Sequence, residues 1–174
     1  GGRLGDVLWG VRYWAFGVWS VFTITLGLFP GISMARMDSQ YPDPDRWFGL
    51  ELACIFNAGD FAGRAAAGRL SGDFSVTMLL LLCALRVFLC PLWVHLASSP
   101  LSFGSSHDLV AFGAMAVTSL SNGFLASVAM MRAPGEFNEA GLKEKSSTVM
   151  VVAMTVGLAS GSILAVPLSG YLRP

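Results

Sequence analysis

Three polar side chains in one predicted helix have the types and the spacing needed to bind a polar organic solute. Asn57, Asp60 and Arg64 lie at i, i+3 and i+7, so at about 100° per residue they share a helix face about 60° wide. The acid and the base can form an ion pair along this face, and the amide of Asn57 both donates and accepts hydrogen bonds. We therefore take this polar stripe as the candidate site.

The polar stripe lies inside residues 47–68, which are otherwise mostly apolar or small. On insertion scales each charge at the middle of a membrane costs about 2.5 to 3.5 kcal/mol, so the pair must face protein or a wet cavity and not lipid. The small residues Gly59, Ala62, Gly63 and Ala66 predict close packing on the side away from the polar stripe. An Asp–Arg pair can also simply lock two helices together, but Asn57 favours a solute path.

The composition places the chain in a membrane. Of its 174 residues 54% are hydrophobic and 13% are charged, and the mean hydropathy is +0.63. A soluble domain has about a quarter of its residues charged. The formal net charge is zero, and the sequence has no basic stripe with interleaved aromatic residues, so nucleic acid is not an expected partner.

Five apolar segments are each long enough to cross a hydrocarbon core, which needs about 20 helical residues. We expect helices, because strands with open edges would leave backbone groups unpaired in lipid. The sequence thus predicts an all-α membrane protein in which residues 1–174 form one five-helix bundle. The predicted spans are residues 13–34, 47–68, 74–97, 109–131 and 147–172.

Basic residues predict the orientation of these spans. With a cytoplasmic N-terminus, six Arg and Lys residues outside the spans face the cytoplasm and three face the exterior, which agrees with the positive-inside rule. The C-terminus is then extracellular, and we expect a multi-pass protein of the plasma membrane. The inner group is Arg3, Arg12, Arg69, Arg132, Lys143 and Lys145, and the outer group is Arg36, Arg46 and Arg173.

Enzymatic chemistry finds little support. The stretch Ala58-Gly59-Asp60-Phe61 is similar to the Gly-x-Gly-Asp signature of intramembrane aspartyl proteases, but that chemistry needs two carboxylates that share a proton. Asn57 replaces the first glycine, and every other Asp is predicted in a loop or at a span end. The sequence has no zinc-protease or nucleotide-binding motif. We predict no catalytic residue, no metal site and no cofactor.

The motifs resemble one transporter family along nearly the whole chain. The stretch Phe56-Asn57-x-x-Asp60-x-x-Gly63-Arg64 is similar to a signature of the equilibrative nucleoside transporters. Four further stretches resemble successive helices of that family in order. They are Val21 to Pro30 with its Phe29-Pro30 pair, Leu85-Arg86-Val87-Phe88 with Pro91-Leu92, Leu120 to Ser127, and Gly157-Leu158-Ala159-x-Gly161.

The resemblance implies the C-terminal five helices of an eleven-helix, six-plus-five arrangement related to the major facilitator architecture. Its members move nucleosides, and some move nucleobases, by alternating access and facilitated diffusion. The implied partners are the nucleoside, the lipid bilayer and an N-terminal half missing from this chain, without which we expect no transport. A site between two halves cannot close with one.

The resemblance also implies roles for individual residues. Arg64 would bind the ribose hydroxyls, Asp60 would position Arg64, and Asn57 would line the same face of the cavity. Phe29 would add an aromatic wall and Leu158 an apolar one. A guanidinium presents a fork of donors that suits a vicinal diol, and an aromatic ring offers a base a stacking surface.

Two alternatives remain open on the sequence. One is a proton-coupled solute carrier of similar architecture in which Asp60 titrates, and the other is a non-transporting membrane assembly subunit held by the Asp60–Arg64 pair. Arg86 is the second cation inside an apolar span, after Arg64, and its own span contains no acidic residue. We expect it to face carbonyl groups or a span missing from this chain.

Overall fold

The computed structural model describes residues 4–30, 37–42, 47–98 and 103–171, and in these ranges the chain forms helices and no strand. This confirms the all-helical prediction. Two short 3-10 helices, Gly104–Ser106 and Ala133–Glu136, flank the fifth α-helix. In chain order the α-helices are α1 (Leu4–Leu28), α2 (Trp47–Leu70), α3 (Val76–Arg86), α4 (Leu89–Ser98), α5 (His107–Arg132) and α6 (Ala140–Tyr171).

Helices α1 and α5 pack against each other and form the centre of the bundle. Helix α6 packs along α1, α2 packs along α5, and α3 and α4 cover the remaining side. Apolar side chains are buried in two clusters, one toward each end. The Trp14 cluster is built around Val11, Trp14, Leu79, Leu125 and Met150, and the Trp93 cluster around Leu28, Leu52, Trp93, Leu96 and Met115.

The end of the bundle at the Trp14 cluster carries the basic residues. Trp14 Nε1 donates to Glu136 Oε1 at 2.9 Å, and Arg132 Nη1 donates to the Gly72 carbonyl at 2.8 Å. The start of α1, the end of α2, the end of α5 and the start of α6 therefore meet here, which gathers Arg12, Arg69, Arg132, Lys143 and Lys145. Arg3, Arg36, Arg46 and Arg173 lie outside the described residues.

At the opposite end, residues 37–42 bind the start of α5. The hydroxyl of Ser39 donates to Asp108 Oδ2 at 2.6 Å, and the backbone N–H of Gln40 donates to Asp108 Oδ1 at 2.9 Å. The side-chain oxygen of Gln40 accepts from the backbone N–H of His107 at 3.1 Å. These contacts attach the connection between α1 and α2 to the first turn of α5.

Glycines bring the backbones of two helix pairs into contact. A Cβ on Gly123 would lie 2.8 Å from the carbonyl carbon of Asp60, and one on Gly63 would lie 2.8 Å from the Phe124 nitrogen. Between α1 and α6, a Cβ on Gly157 would lie 2.7 Å from the Trp19 oxygen, and one on Gly161 would lie 2.7 Å from the Thr23 oxygen. Small residues permit this proximity, so the packing predicted for Gly63 is confirmed, whereas Ala62 is exposed and its predicted packing is wrong.

The segment predicted as the third span is two helices. α3 ends at Arg86 and α4 begins at Leu89, with a turn at Val87–Phe88. Pro91 has no N–H to donate to Val87, the residue four before it, and its ring clashes with that carbonyl. Cys90 instead donates to the Val87 carbonyl at 3.1 Å. The segment predicted as one span over residues 74–97 is therefore interrupted one turn before its proline.

Four stretches of the described residues are long and apolar enough to cross a membrane, namely Leu4–Leu28, Val76–Ser98, Gly104–Glu136 and Ala140–Pro167. Helix α2 is long enough to cross a membrane, but its charged residues keep it from meeting the same criterion of length and apolar composition. The number of candidate spans in the described residues is therefore four, one fewer than the five predicted. The first helix runs from Leu4 to Leu28, well before the predicted start at residue 13. The predicted span ends at residues 31–34 and at residue 172 lie outside the described residues.

The contact between Gly123 and Asp60 predicts a stability effect with a matched control in the same helix. In Gly123→Ala the added methyl group must push the α2 backbone away, so we expect a loss of about 1–3 kcal/mol. In Gly113→Ala nothing lies within 4 Å of the new methyl group, and the higher helix propensity of alanine should add about 0.5–1 kcal/mol. Thermal unfolding of the detergent-purified protein measures both changes. Equal midpoints for the two variants would contradict the close approach of α2 and α5.

Candidate substrate site

Asp60 and Arg64 form an ion pair on one face of α2. Arg64 Nε donates to Asp60 Oδ2 at 2.7 Å, and Nη2 lies 3.4 Å from Oδ1. The side chain of Arg64 is 48% exposed and that of Asp60 is 18% exposed. The carboxylate thus lies at the edge of the packed face while the guanidinium projects away from it. Among the described residues the Nη1 group of Arg64 has no hydrogen-bond partner, so it is available to a ligand.

Asn57 lies on the same face but does not join the pair. Its side-chain nitrogen donates to the carbonyl of Ala53, one turn back in α2, at 2.8 Å. The side chain is exposed, and its oxygen can still accept a hydrogen bond. The structure therefore places all three residues of the polar stripe on one side of α2 and links only Asp60 and Arg64 directly.

Asn122 of α5 is a partner of Asp60 that the sequence did not identify. Its side-chain nitrogen donates to Asp60 Oδ1 at 2.7 Å, and the residue is 3% exposed. The signal in the sequence was an amide inside an apolar span, flanked by Gly123, whose missing side chain lets α5 reach the Asp60 backbone. Asp60 therefore also ties α2 to α5, which is the locking role weighed for the Asp–Arg pair.

The hydrogen bonds continue from Asn122 to Arg86. The Thr25 hydroxyl of α1 lies 2.7 Å from Asn122 Oδ1 and accepts from Arg86 Nη2 at 2.7 Å. Arg86 Nη1 also donates to the Thr118 carbonyl at 3.0 Å. This contact confirms the expectation that Arg86 faces a carbonyl. The four residues Arg86, Thr25, Asn122 and Asp60, which we call the polar relay, lie between the Trp14 cluster and the Trp93 cluster.

Phe29 and Leu158 take different positions relative to the ion pair. Phe29 stacks on Phe56 of α2 with ring centroids 4.2 Å apart and an interplanar angle of 12°. Phe56 precedes Asp60 by one helical turn, about 6 Å along the axis, so this aromatic pair lies next to the polar stripe. Leu158 of α6 instead packs against the Trp14 cluster. The structure shows no contact between Leu158 and the ion pair within the described residues.

The site has the groups to bind a neutral polyol with an aromatic part. It presents a half-exposed guanidinium held in orientation by a carboxylate, with a free amide oxygen and a stacked pair of aromatic rings along the same helix. Within the part of the chain that the structure describes, no three His, Cys, Asp or Glu side chains are close enough to hold a metal ion. A helical bundle with several candidate membrane spans and a polar site at its middle is the architecture of a membrane transporter.

The comparisons identify the family. The chain belongs to the nucleoside transporter family, whose model matches residues 3–169. Equilibrative nucleoside transporter 1 of Mus musculus is 31% identical over 163 residues, 86% of this chain and 35% of the relative. The human protein of that name is 30% identical over 166 residues, 90% of this chain and 36% of the relative. Equilibrative nucleotide transporter 8 of Arabidopsis thaliana is 27% identical over 154 residues, 88% of this chain and 38% of the relative.

These matches confirm the resemblance stated from the sequence. The chain spans a little over a third of the length of these relatives and corresponds to their C-terminal part. The family consists of transporters, so the expectation that the chain is not an enzyme is confirmed. The apolar helices, together with this membership, make it a multi-pass membrane protein.

The exposure of Arg64 predicts that its position is reached by water in the membrane-inserted protein. In a background where Cys54, Cys83 and Cys90 are replaced by Ala, Arg64→Cys should react with a charged, water-soluble thiol reagent, because reaction requires the thiolate. Leu52→Cys on the same helix is the matched control, since Leu52 is 0% exposed and should stay unlabelled. Labelling is measured in intact membranes that contain the full-length protein. If Arg64→Cys stays as unreactive as the control, the polar stripe does not face water.

Proposed function

We propose that this chain is the C-terminal part of a transporter that moves nucleosides across a membrane by facilitated diffusion. The observation that carries the proposal is the Arg64 guanidinium, which is 48% exposed and yet fixed by Asp60 at 2.7 Å. A pair that only locked helices would have no reason to leave its cation half exposed in an apolar bundle. The relatives carry the name of equilibrative nucleoside transporters, which agrees with this substrate class.

Arg64 binds the ribose of the nucleoside in this proposal. Asp60 contacts Nε and Nη2, so the free Nη1 edge faces outward with a defined orientation. Two hydroxyls on adjacent ribose carbons match the planar fork of a guanidinium better than the single point charge of a lysine. The Asn57 oxygen adds an acceptor on the same face. A nucleobase without ribose lacks these hydroxyls and would gain little from Arg64.

The base of the nucleoside is assigned to the aromatic side of the site. Phe29 stacks on Phe56, and together they offer an aromatic wall about one helical turn from Asp60. The role of Leu158 as an apolar wall remains a proposal carried by the family resemblance, because Leu158 packs at α6 against the Trp14 cluster.

Helix α2 is the fifth membrane span in this proposal. It runs for 24 residues from Trp47 to Leu70, which is about 36 Å at 1.5 Å per residue, and it packs along the candidate span α5. Its polar stripe then faces a cavity completed by six further helices, in the six-plus-five arrangement related to the major facilitator architecture. Because the site is shared between two halves that rock about it, the chain alone would not transport.

The orientation follows the basic end of the bundle. Arg12, Arg69, Arg132, Lys143 and Lys145 gather where α1 begins, and this end faces the cytoplasm under the positive-inside rule. The end where residues 37–42 meet Asp108 then faces the exterior. We propose the plasma membrane as the location.

The central test of the proposal is uptake of a labelled nucleoside by the full-length protein. Arg64→Ala should reduce uptake by roughly tenfold to a hundredfold, since a charged hydrogen-bonding pair contributes on that order. Arg64→Lys should also be impaired, because an ammonium cannot reproduce the fork. Arg69→Ala is the matched control. It lies on the same helix, is exposed, and points about 140° away from Arg64, so its uptake should equal that of the wild type.

Surface expression of each variant is measured alongside uptake. Normal uptake by Arg64→Ala would remove the site assignment. Normal uptake by Arg64→Lys together with loss in Arg64→Ala would instead favour an assembly subunit in which any cation in the pair suffices.

The contacts of Asp60 predict that transport does not follow the proton gradient. Asp60 faces three N–H groups from Arg64 and Asn122, and only an ionised carboxylate accepts at both oxygens without presenting a proton of its own. Initial uptake should therefore be the same with and without an imposed pH gradient or a protonophore. Uptake that rises with external acidity and collapses with the protonophore would support the proton-coupled alternative.

A further inference from the structure

Arg86 is a charged side chain in the middle of the bundle with no role in the proposed binding of the nucleoside. It is 3% exposed, so it does not contact a solute in the cavity. Its described contacts are all neutral, namely the Thr25 hydroxyl at 2.7 Å, the Thr118 carbonyl at 3.0 Å and the Ser121 hydroxyl. A buried guanidinium without a carboxylate is expensive, which raises the question of what it does.

The two ends of the polar relay fix the direction of every hydrogen bond in it. Arg86 can only donate and ionised Asp60 can only accept. Asn122 must therefore turn its nitrogen toward Asp60 and its oxygen toward Thr25, because the flipped amide would place oxygen against carboxylate. The Thr25 hydroxyl accepts a hydrogen bond from Arg86. Because the Asn122 oxygen, 2.7 Å away, can only accept, the single proton of the hydroxyl must point toward it. Every donor in the relay thus points from Arg86 toward Asp60.

Thr25 is the residue at which the chain of hydrogen bonds can be interrupted, because its hydroxyl has a second possible acceptor. Its hydroxyl also lies 2.8 Å from the Val21 carbonyl one turn back in α1, a common alternative acceptor for a threonine in a helix. Donation by Arg86 to the Thr25 oxygen strengthens the hydroxyl as a donor and holds it between α1 and α5. With that contact absent, the Asn122 oxygen has no described partner and its amide is no longer fixed against Asp60.

We infer that Arg86 is a positioning residue for substrate recognition, which acts through Thr25 and Asn122 to hold Asp60 and, through Asp60, the guanidinium of Arg64. The inference rests on the proposed function, since it assigns Arg86 to the orientation of the group that reads the ribose diol. The contacts of Arg86 with Thr118 and Ser121 attach α3 to α5 by themselves. The contact with Thr25 is the one that leads to the site.

The experiment compares the full-length wild type with variants that break one link of the relay. Its readout is the KM for a labelled ribonucleoside relative to the KM for a dideoxy analogue that lacks both ribose hydroxyls. Thr25→Val removes the hydroxyl, and Thr25→Ser keeps it. Thr23→Val is the matched control, because Thr23 is also buried in α1 and its hydroxyl donates to the Gly157 carbonyl, away from the relay.

Thr25→Val should raise the KM for the ribonucleoside about tenfold, the effect of one hydrogen bond to a charged group, and leave the KM for the dideoxy analogue unchanged. Thr25→Ser and Thr23→Val should keep the wild-type ratio. A merely structural defect would lower surface expression or slow both compounds alike. Retention of the wild-type ratio by Thr25→Val overturns the inference.

Asn122→Ala provides a second, independent break for the case in which Thr25→Val does not reach the membrane. A rise of the KM ratio in Asn122→Ala, in the direction expected for Thr25→Val, supports the relay, and an unchanged ratio overturns it. Arg64→Ala distinguishes a failure of the relay from a failure of the proposed function. If the preference for the ribonucleoside is lost in Arg64→Ala but kept in the relay variants, only the relay is overturned. If the wild type transports neither compound, the proposed function is overturned and the relay with it.

Discussion

The constraint on which this structure depends is that a carboxylate and a guanidinium must be satisfied at the middle of an apolar bundle. Asp60 meets it with donors from two helices, Arg64 in α2 and Asn122 in α5. Because Asp60 is shared in this way, the packing of α2 on α5 and the orientation of Arg64 follow from the same side chain. The backbone contact with Gly123 brings the amide within reach. The hydrogen bond that joins α2 to α5 and the half-exposed guanidinium of Arg64 are therefore parts of one arrangement.

Much of the helical organisation could be predicted from the sequence, because hydrophobic run length and the 3.6-residue period act locally. The placement of Asn57, Asp60 and Arg64 on one face needed only that period. The partners of Asp60 and Arg86 could not be found in this way, since Thr25 and Asn122 are brought together by tertiary packing across 97 residues of chain. The interruption at Val87–Phe88 is also not evident from the length of the apolar run, which continues through it, because a proline disturbs the turn before it and not its own position.

Helix α2, which we propose as the fifth span, shows how composition alone can miss a helix with charged residues. Its charged residues lower its mean hydropathy below that of the four stretches found long and apolar enough to cross a membrane. Yet two of these residues, Asp60 and Arg64, form the ion pair of the proposed site, and with Asn57 they lie on one face of the helix next to the glycines that contact α5. A helix of this kind is therefore recognised by the angular positions of its polar residues around the helix axis, which a mean hydropathy over its length does not reveal.

The glycine contacts between α2 and α5 also limit how the bundle can move. At Gly123, which lies against the Asp60 backbone, and at Gly63, which lies beside the Phe124 nitrogen, no side chain separates the two helices. A sliding motion of one helix along the other needs side chains that repack, and these two positions offer none. We therefore expect helices α2 and α5 to move together as one rigid body during any conformational change, with bending confined to sites elsewhere such as the interruption at Val87–Phe88.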